Sequence, residues 1–282
     1  MVLESLITPS VAEKHPSRMI LLGFVYATLG LFLALMVFKT YASMVMVFLT
    51  TMAAVPFMYQ IINMEEEKDL QAEEEVWLLK EHGKALMAFI WLFIGMTLAF
   101  GLFYVVLSPE TVSIAFKSQS DTIMAINPAT GNASAEYAHF TRIFLNNVRV
   151  LVFCILFSFL YGSGAIFILA WNASVIGTAM GNVIRQGLAE AAAEVGALGA
   201  SHYFAVISYG LFKYSIHGIP EILAYFTAGL AGGIISIAAI RHDFGTRKFE
   251  HILLDSADLL LLALALTFIA GVLEVWVTPL IF

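Results

Sequence analysis

The chain of 282 residues is 60% hydrophobic and 12% charged, with a mean hydropathy of +0.88 and a net charge of −7. A water-soluble globular protein has about 25% charged residues, so this composition excludes a fully hydrated surface and predicts a protein embedded in a lipid bilayer. Much of the negative charge lies in one run, from Glu65 to Glu81, and therefore does not indicate a nucleic-acid partner. The single cysteine, Cys154, excludes an intramolecular disulfide and any multi-cysteine metal site.

The apolar residues are grouped in segments that are long enough to cross a membrane. A spanning helix needs about 20 apolar residues, and in lipid it satisfies its own backbone hydrogen bonds. Six segments meet this requirement: 19–38, 42–62, 86–107, 148–171, 218–240 and 255–278. The predicted fold class is therefore all-α, a polytopic transmembrane helical bundle.

The segment 172–216 decides the number of spans, because its second half, 197–214, is also apolar. If 197–214 is a span and the N-terminus is cytoplasmic, nine of the fourteen Lys and Arg residues lie inside, as the positive-inside rule favours. These nine are Lys14, Arg18, Lys68, Lys80, Lys84, Arg185, Arg241, Arg247 and Lys248. We predict about seven spans. The alternative is six spans, with 173–214 forming a re-entrant helical pair.

Two polar regions are expected outside the bilayer. Residues 63–84 are rich in Glu and Lys, which favours a helical segment on the cytoplasmic side. The simplest interpretation of this acidic segment is a solvated connector. Residues 108–147 form the longest polar stretch, and we expect them to be an outward-facing loop.

Polar side chains at membrane depth are costly, so each is a candidate for function. In the seven-span topology, the spans that start at 148 and 218 begin on the outer side, and the last span ends there. His217 and Glu221 are four residues apart, hence on one helix face, and Glu274 is expected at a similar depth. The predicted outer cluster consists of Asn146, Asn147, Arg149, His217, Glu221 and Glu274, with Asn172 as a further polar residue.

This cluster has three interpretations. It is a structural network in which Arg149 or His217 neutralises Glu221 and Glu274, since buried carboxylates need partners. Alternatively, it binds a proton, a cation or a polar ligand. The least favoured interpretation is a metal centre with His217, Glu221 and Glu274 as ligands, because these residues lack the spacing of a known hydrolase motif.

The remaining motifs indicate packing. The pairs Gly177-x-x-x-Gly181 and Gly229-x-x-x-Gly233 would let helices approach closely. Pro220 is typical of the first turn of a helix, which predicts a helix start there. The sequence has no phosphate-binding loop, nucleophile elbow or His-Glu-x-x-His motif, and it identifies no cofactor.

Several of these residues occur together in a known pattern. The runs Asn146-Asn147-x-Arg149, Trp171-Asn172 and His217-Gly218-x-x-Glu221, followed by Glu274 and Pro279, resemble the stage II sporulation protein M (SpoIIM) family. The resemblance covers about residues 86–282. The two spans before it, the acidic segment and the run Lys80-Glu81-His82-Gly83-Lys84 are similar to the archaeal branch of that family.

The resemblance implies a multi-pass plasma-membrane protein in two parts. These are an N-terminal two-span extension, 1–85, and a SpoIIM-like membrane domain, 86–282. In spore-forming bacteria the named member acts with cell-wall hydrolases and is regarded as a membrane scaffold and not as the hydrolase. Archaea lack that wall and that process, so only a role in organising membrane or envelope partners is implied here.

The leading functional hypothesis is thus a non-enzymatic scaffold or membrane-remodelling component. Its partner would be another membrane protein or a second copy of the chain. The alternative is a small permease or an ion or proton pathway that uses Glu221, Glu274, His217 and Arg149. An intramembrane metalloenzyme is the third hypothesis.

Overall fold

The computed structural model describes residues 9–71, 75–126, 133–161, 164–195, 200–241 and 245–281. These residues are almost entirely helical and contain no strand, which confirms the all-α fold class. The helices are α1 (Pro9–Lys14), α2 (Met19–Phe38), α3 (Ala42–Gln71), α4 (Glu75–Val106), α5 (Pro109–Ala115), α6 (Lys117–Ile126), α7 (Ala133–Tyr161), α8 (Ala165–Val195), α9 (Ala200–Arg241) and α10 (Arg247–Val272).

Six helical stretches of the described chain are long and apolar enough to cross a membrane. The first, Pro16–Lys68, has 53 residues because it contains two helices, α2 and α3, joined by the short turn Lys39–Tyr41. These helices fold back on each other, and Gly30 of α2 contacts Met46 and Thr50 of α3. The membrane helical bundle is therefore confirmed, while the number of crossings stays a prediction.

The helix boundaries in the middle of the chain differ from the predicted spans. The predicted span 148–171 is wrong, because α7 ends at Tyr161 and α8 begins at Ala165. The hydroxyl of Ser158 accepts the backbone N–H of Ala165 at 3.3 Å, and Gly164 lies so close to the α7 backbone that a Cβ atom would overlap it. Glycine and serine, which stand between these two helices in the sequence, hardly lower the mean hydropathy of an apolar run. Hydropathy therefore could not locate the end of α7.

Residues 200–214 of one predicted span and residues 218–240 of the next belong to a single helix, α9. This helix has 42 residues and is about 63 Å long, roughly twice the thickness of a bilayer core. Pro220 lies inside it and not in its first turn, so the predicted helix start is wrong. Residues 173–195 of the alternative re-entrant pair belong to α8 and residues 200–214 to α9, and whether this pair is re-entrant stays a prediction.

The expected outward loop, 108–147, contains the short helices α5 and α6 and the first half of α7. Helix α6 lies over one end of the bundle, where the side chain of Gln119 joins two longer helices. Its Nε2 atom donates to Ser174 Oγ of α8 at 3.1 Å, and its Oε1 atom accepts from Ser43 Oγ of α3 at 3.1 Å. The polar residues that suggested a loop are thus used in contacts between helices.

Small residues bring the N-terminal helices close to the rest of the bundle. Gly23 and Gly95 lie where α2 crosses α4, and a Cβ atom on either residue would overlap the backbone of the other helix, at Leu92 and Ile20 respectively. Glycine at such crossings lets two backbones approach within van der Waals distance. The N-terminal extension is therefore tightly packed against α4.

The acidic segment contributes to an ionic cluster at the end of the bundle where α1, α3 and α4 meet. Lys68 Nζ lies 2.7 Å from Glu13 Oε1 and 2.7 Å from Glu65 Oε1. His82 Nδ1 lies 2.8 Å from Glu65 Oε2, and the side chain of Glu65 is completely buried. The interpretation of 63–84 as a solvated connector is wrong for these residues.

The same cluster extends to the end of α9. Arg241 Nη1 lies 2.7 Å from the completely buried carboxylate of Glu66, and Arg241 Nη2 donates to Asn63 Oδ1 at 3.2 Å. Glu66 and Arg241 are separated by 175 residues in the chain, so the local sequence cannot reveal their pairing. The buried carboxylate of Glu66 is tolerated here because a cation from another helix neutralises it.

The carboxyl group of Glu13 in this cluster has a raised pKa. Burial and its hydrogen bond with Glu65 raise the pKa of Glu13 to about 7. The hydrogen bond and charge of Lys68, which also contacts Glu65 and Glu81, lower the pKa of Glu13 but do not offset these effects.

We expect Glu66→Ala to destabilise the fold, because it removes the buried partner of Arg241. The expected loss is about 2 kcal/mol, or about 5 °C in the unfolding midpoint in mild detergent. The reaction of a thiol-reactive dye with Cys154, which is buried in the folded protein, reports unfolding. The matched control is Glu67→Ala, since Glu67 is 61% exposed and lies 3.6 Å from Arg241. Equal midpoints for the two variants would contradict the importance of the buried pair.

Candidate functional site

A cavity of about 360 Å³ lies between α7, α8 and α9 and is bordered by the end of α10. It brings together most of the polar residues that the sequence singled out. Those lining it are Asn146, Asn147, Asn172, His217, Glu221 and Glu274. Three further polar residues, His139, Arg142 and Tyr225, also line it.

One face of α7 forms a wall of the cavity. His139, Arg142, Asn146 and Val150 follow each other at intervals of three or four residues, which places them on one helix face. Because α7 begins at residue 133 and not at 148, its polar first half belongs to the helix. His139 and Arg142 were missed for this reason, although their spacing from Asn146 was visible in the sequence.

Successive turns of α9 form the opposite wall. His217, Glu221 and Tyr225 are each four residues apart and all line the cavity. Tyr225 Oη donates a hydrogen bond of 2.7 Å to Glu221 Oε1. The spacing argument that joined His217 to Glu221 extends to Tyr225, which was nevertheless overlooked because tyrosine is common in apolar spans.

Glu274 lies on a wide π-helical turn, Leu273–Val277, that follows the regular part of α10. Thr278 stabilises this turn by donating to the carbonyl of Leu273 at 3.0 Å. The only hydroxyl proton of Thr278 is used in that bond, so its oxygen accepts from His217 Nδ1 at 3.2 Å. In the neutral imidazole, this arrangement places the lone pair on Nε2. Single π-helical turns are frequent at functional sites.

Arg149 does not take part in this cluster. Its side chain is exposed on α7 and does not line the cavity. Among the described residues, no lysine or arginine forms an ion pair with Glu221 or Glu274. The interpretation in which Arg149 neutralises the two glutamates therefore has no support in the geometry, whereas the one in which His217 does so stays a hypothesis.

The amide of Asn147 is a second reason to regard the cavity as a candidate binding site, after the two carboxyl groups that have no lysine or arginine partner among the described residues. Asn147 is 5% exposed and lines the cavity. Its Nδ2 atom has no hydrogen-bond partner within the described part of the chain. Burying an amide without a partner costs free energy, and most buried polar groups that lack a protein partner are bonded to water or a ligand.

The three candidate metal ligands, His217, Glu221 and Glu274, all line the cavity. In the ranges that the structure describes, no three His, Cys, Asp or Glu side chains come close enough together to hold a metal ion. The described residues therefore give the metalloenzyme hypothesis no support.

The glycine pairs lie at helix crossings next to the cavity. A Cβ atom on Gly177 or Gly181 would come within 2.8 Å of a side chain of α4, and one on Gly229 within 2.8 Å of Ala165. Gly233 is buried, and its neighbour Gly232 makes the close approach to α7. These glycines fix the distances between the helices that enclose the cavity.

Comparison with known proteins adds one finding. A family model described as Stage II sporulation protein M matches residues 88–279. The match begins within α4, ends two residues after the π-helical turn and includes every residue that lines the cavity. Comparisons with curated proteins and with solved structures give no match.

Proposed function

We propose that this chain, which belongs to the stage II sporulation protein M family, binds a polar or cationic solute in its intramembrane cavity and conducts it as a small permease. The observation that carries the proposal is the pair Glu221 and Glu274. Both carboxyl groups line a cavity at membrane depth without a lysine or arginine partner among the described residues. Each such group is costly in a membrane, which favours a binding function over a purely structural one.

The chemistry of the lining suits a ligand that donates hydrogen bonds. Glu221 and Glu274 offer carboxylate acceptors, and Asn147 offers an amide with an unused donor. Arg142 and His139 lie one to two turns nearer the start of α7, and the side chain of Arg142 is exposed. The deep part of the cavity is thus acidic, while the positive charge lies at its mouth.

We expect the protein in liposomes to take up radiolabelled methylammonium faster than protein-free liposomes. Glu221→Gln and Glu274→Gln should each reduce this uptake by about tenfold or more, because a hydrogen bond to a charged group is worth about 1.5–3 kcal/mol. Glu67→Gln is the matched control, since it removes an exposed carboxylate at the other end of the bundle. Uptake that equals the protein-free background, or that is unchanged in both cavity variants, would contradict the proposal.

We also propose that the N-terminus is cytoplasmic and that the membrane is the plasma membrane. Eight lysine and arginine residues support this orientation, because they belong to the bundle end that holds the ionic cluster: Lys14, Arg18, Lys68, Lys80, Lys84, Arg241, Arg247 and Lys248. Arg185 does not belong to that end, since its Nη1 atom donates to the carbonyl of Tyr104 at 3.2 Å, near the other end of α4. The positive-inside bias remains without it.

Single cysteines test this orientation directly, because the native Cys154 is buried and should stay unlabelled. On intact cells, a membrane-impermeant maleimide should label Glu110→Cys on α5, and it should label Glu67→Cys after permeabilisation alone. Both positions are exposed in the structure. Labelling in the reverse pattern would show that the N-terminus lies outside and would contradict the proposed orientation.

A scaffold function is the second candidate, and one observation favours it. In the spanning parts of α7 and α10, 28% of the residues are buried, against 83% in α9. We propose that the apolar faces of α7 and α10 contact a membrane-protein partner or a second copy of the chain. The division into an extension, 1–85, and a family domain, 86–282, and the assignment to the archaeal branch also remain our proposals.

Oxidative cross-linking in native membranes tests this candidate. With Cys154 replaced by Ala, Leu261→Cys on the exposed face of α10 should give a cross-linked species, which has twice the mass of the chain if the partner is a second copy. Met52→Cys on α3 is the control, since Met52 is 57% and Leu261 65% exposed. Equal cross-linking at both positions would indicate random collision and remove this candidate.

A further inference from the structure

A second, apolar cavity of about 170 Å³ lies beside the polar one, between α4, α8 and α9. Isoleucine, phenylalanine, leucine and methionine side chains make up most of its wall. Two residues, Ile176 and Gly218, border both cavities. The polar and the apolar space therefore meet at one place.

Gly218 leaves the junction between the two cavities open. It is buried, yet a Cβ atom built on it would meet no atom within 4 Å. The other buried glycines for which neighbours are given press against adjacent helices, so the role of Gly218 is different. It follows His217 in the His-Gly-x-x-Glu run, and one turn of α9 thus contributes to both spaces.

The apolar cavity opens towards lipid. Leu98 of α4 and Ile219 of α9 line it and are 38% and 55% exposed. Both residues belong to stretches that are apolar enough to cross the membrane. A hydrocarbon chain in the bilayer can therefore reach the groove from the side, without passing through water.

We infer that the ligand of this site is an amphiphile: a lipid with an amine in its head group. This inference rests on the proposed binding function and specifies its substrate class. The ammonium group lies near Glu221 and Glu274 in the polar cavity, and the hydrocarbon chain lies in the apolar groove, with Gly218 between them. The charge of the head group is complementary to two carboxylates that lack a Lys or Arg partner in the described chain.

Two physical arguments favour an amphiphile over a small soluble cation. Ligand sites combine a largely apolar wall with a few polar groups that fix orientation, and the second cavity adds an apolar space that a small soluble cation would not fill. In addition, an unbranched chain that leaves the bilayer for an apolar groove keeps its hydrophobic surface out of water. A soluble cation would occupy the polar cavity alone, and the open junction at Gly218 would then play no part in its binding.

The test is native mass spectrometry of the full chain released from a non-ionic maltoside detergent, with dodecylamine and butylamine as probes. We expect a one-to-one complex with dodecylamine and at least tenfold weaker binding of butylamine. Gly218→Leu should reduce dodecylamine binding at least tenfold, because its side chain fills the junction. Gly83→Leu is the matched control, since a Cβ atom on Gly83 of α4 would also meet no atom within 4 Å and Gly83 lines neither cavity.

The possible outcomes separate the inference from the function on which it rests. If butylamine binds as well as dodecylamine and Gly218→Leu changes neither, the lipid route is overturned while the binding of a polar cation stands. Binding of neither amine would overturn both. Equal binding of dodecanol would overturn the role of the carboxylates. If Gly218→Leu does not fold, Leu98→Trp, which closes the groove from its exposed edge, must reduce dodecylamine binding in its place.

Discussion

The cost of placing a carboxylate away from water shapes both ends of this protein. At the end that holds the ionic cluster, Glu65 and Glu66 are completely buried, and they are paired with Lys68 of the same helix and with Arg241 of α9, respectively. In the cavity, Glu221 accepts a hydrogen bond from a tyrosine hydroxyl, and no lysine or arginine approaches it within the described chain. The ion pairs of the first arrangement hold neighbouring helices together. The second leaves acidic oxygens facing an open space, which is why we assign binding to the cavity.

The features that follow from local spacing could be predicted from the sequence. Composition predicted the membrane helices, and a spacing of four residues predicted that His217 and Glu221 share a helix face. Glu274 was expected at their depth, and it lines the same cavity. Arg149 was expected there too, yet it is exposed elsewhere on α7. The prediction failed because it placed the start of the span at 148, whereas α7 begins at residue 133.

The features that depend on distant parts of the chain could not be predicted. Hydropathy missed the turn between α7 and α8, since glycine and serine hardly lower the average of an apolar run. The pairing of Glu66 with Arg241 joins residues in different helices, so an acidic run with a buried face looked solvated. The long helix α9 continues through Pro220, and the apolar run before the proline therefore resembled a separate span.

The backbone around the cavity is also less firmly bonded than that of a regular helix. Pro220 has no N–H group, so the carbonyl of Ile216 loses its helical donor one turn before Glu221. In α10, the π-helical turn at Glu274 widens the helix at the matching level. Kinks in helices occur at such interruptions. Bending α9 or α10 at these positions therefore strains fewer intact hydrogen bonds than bending the same helices elsewhere.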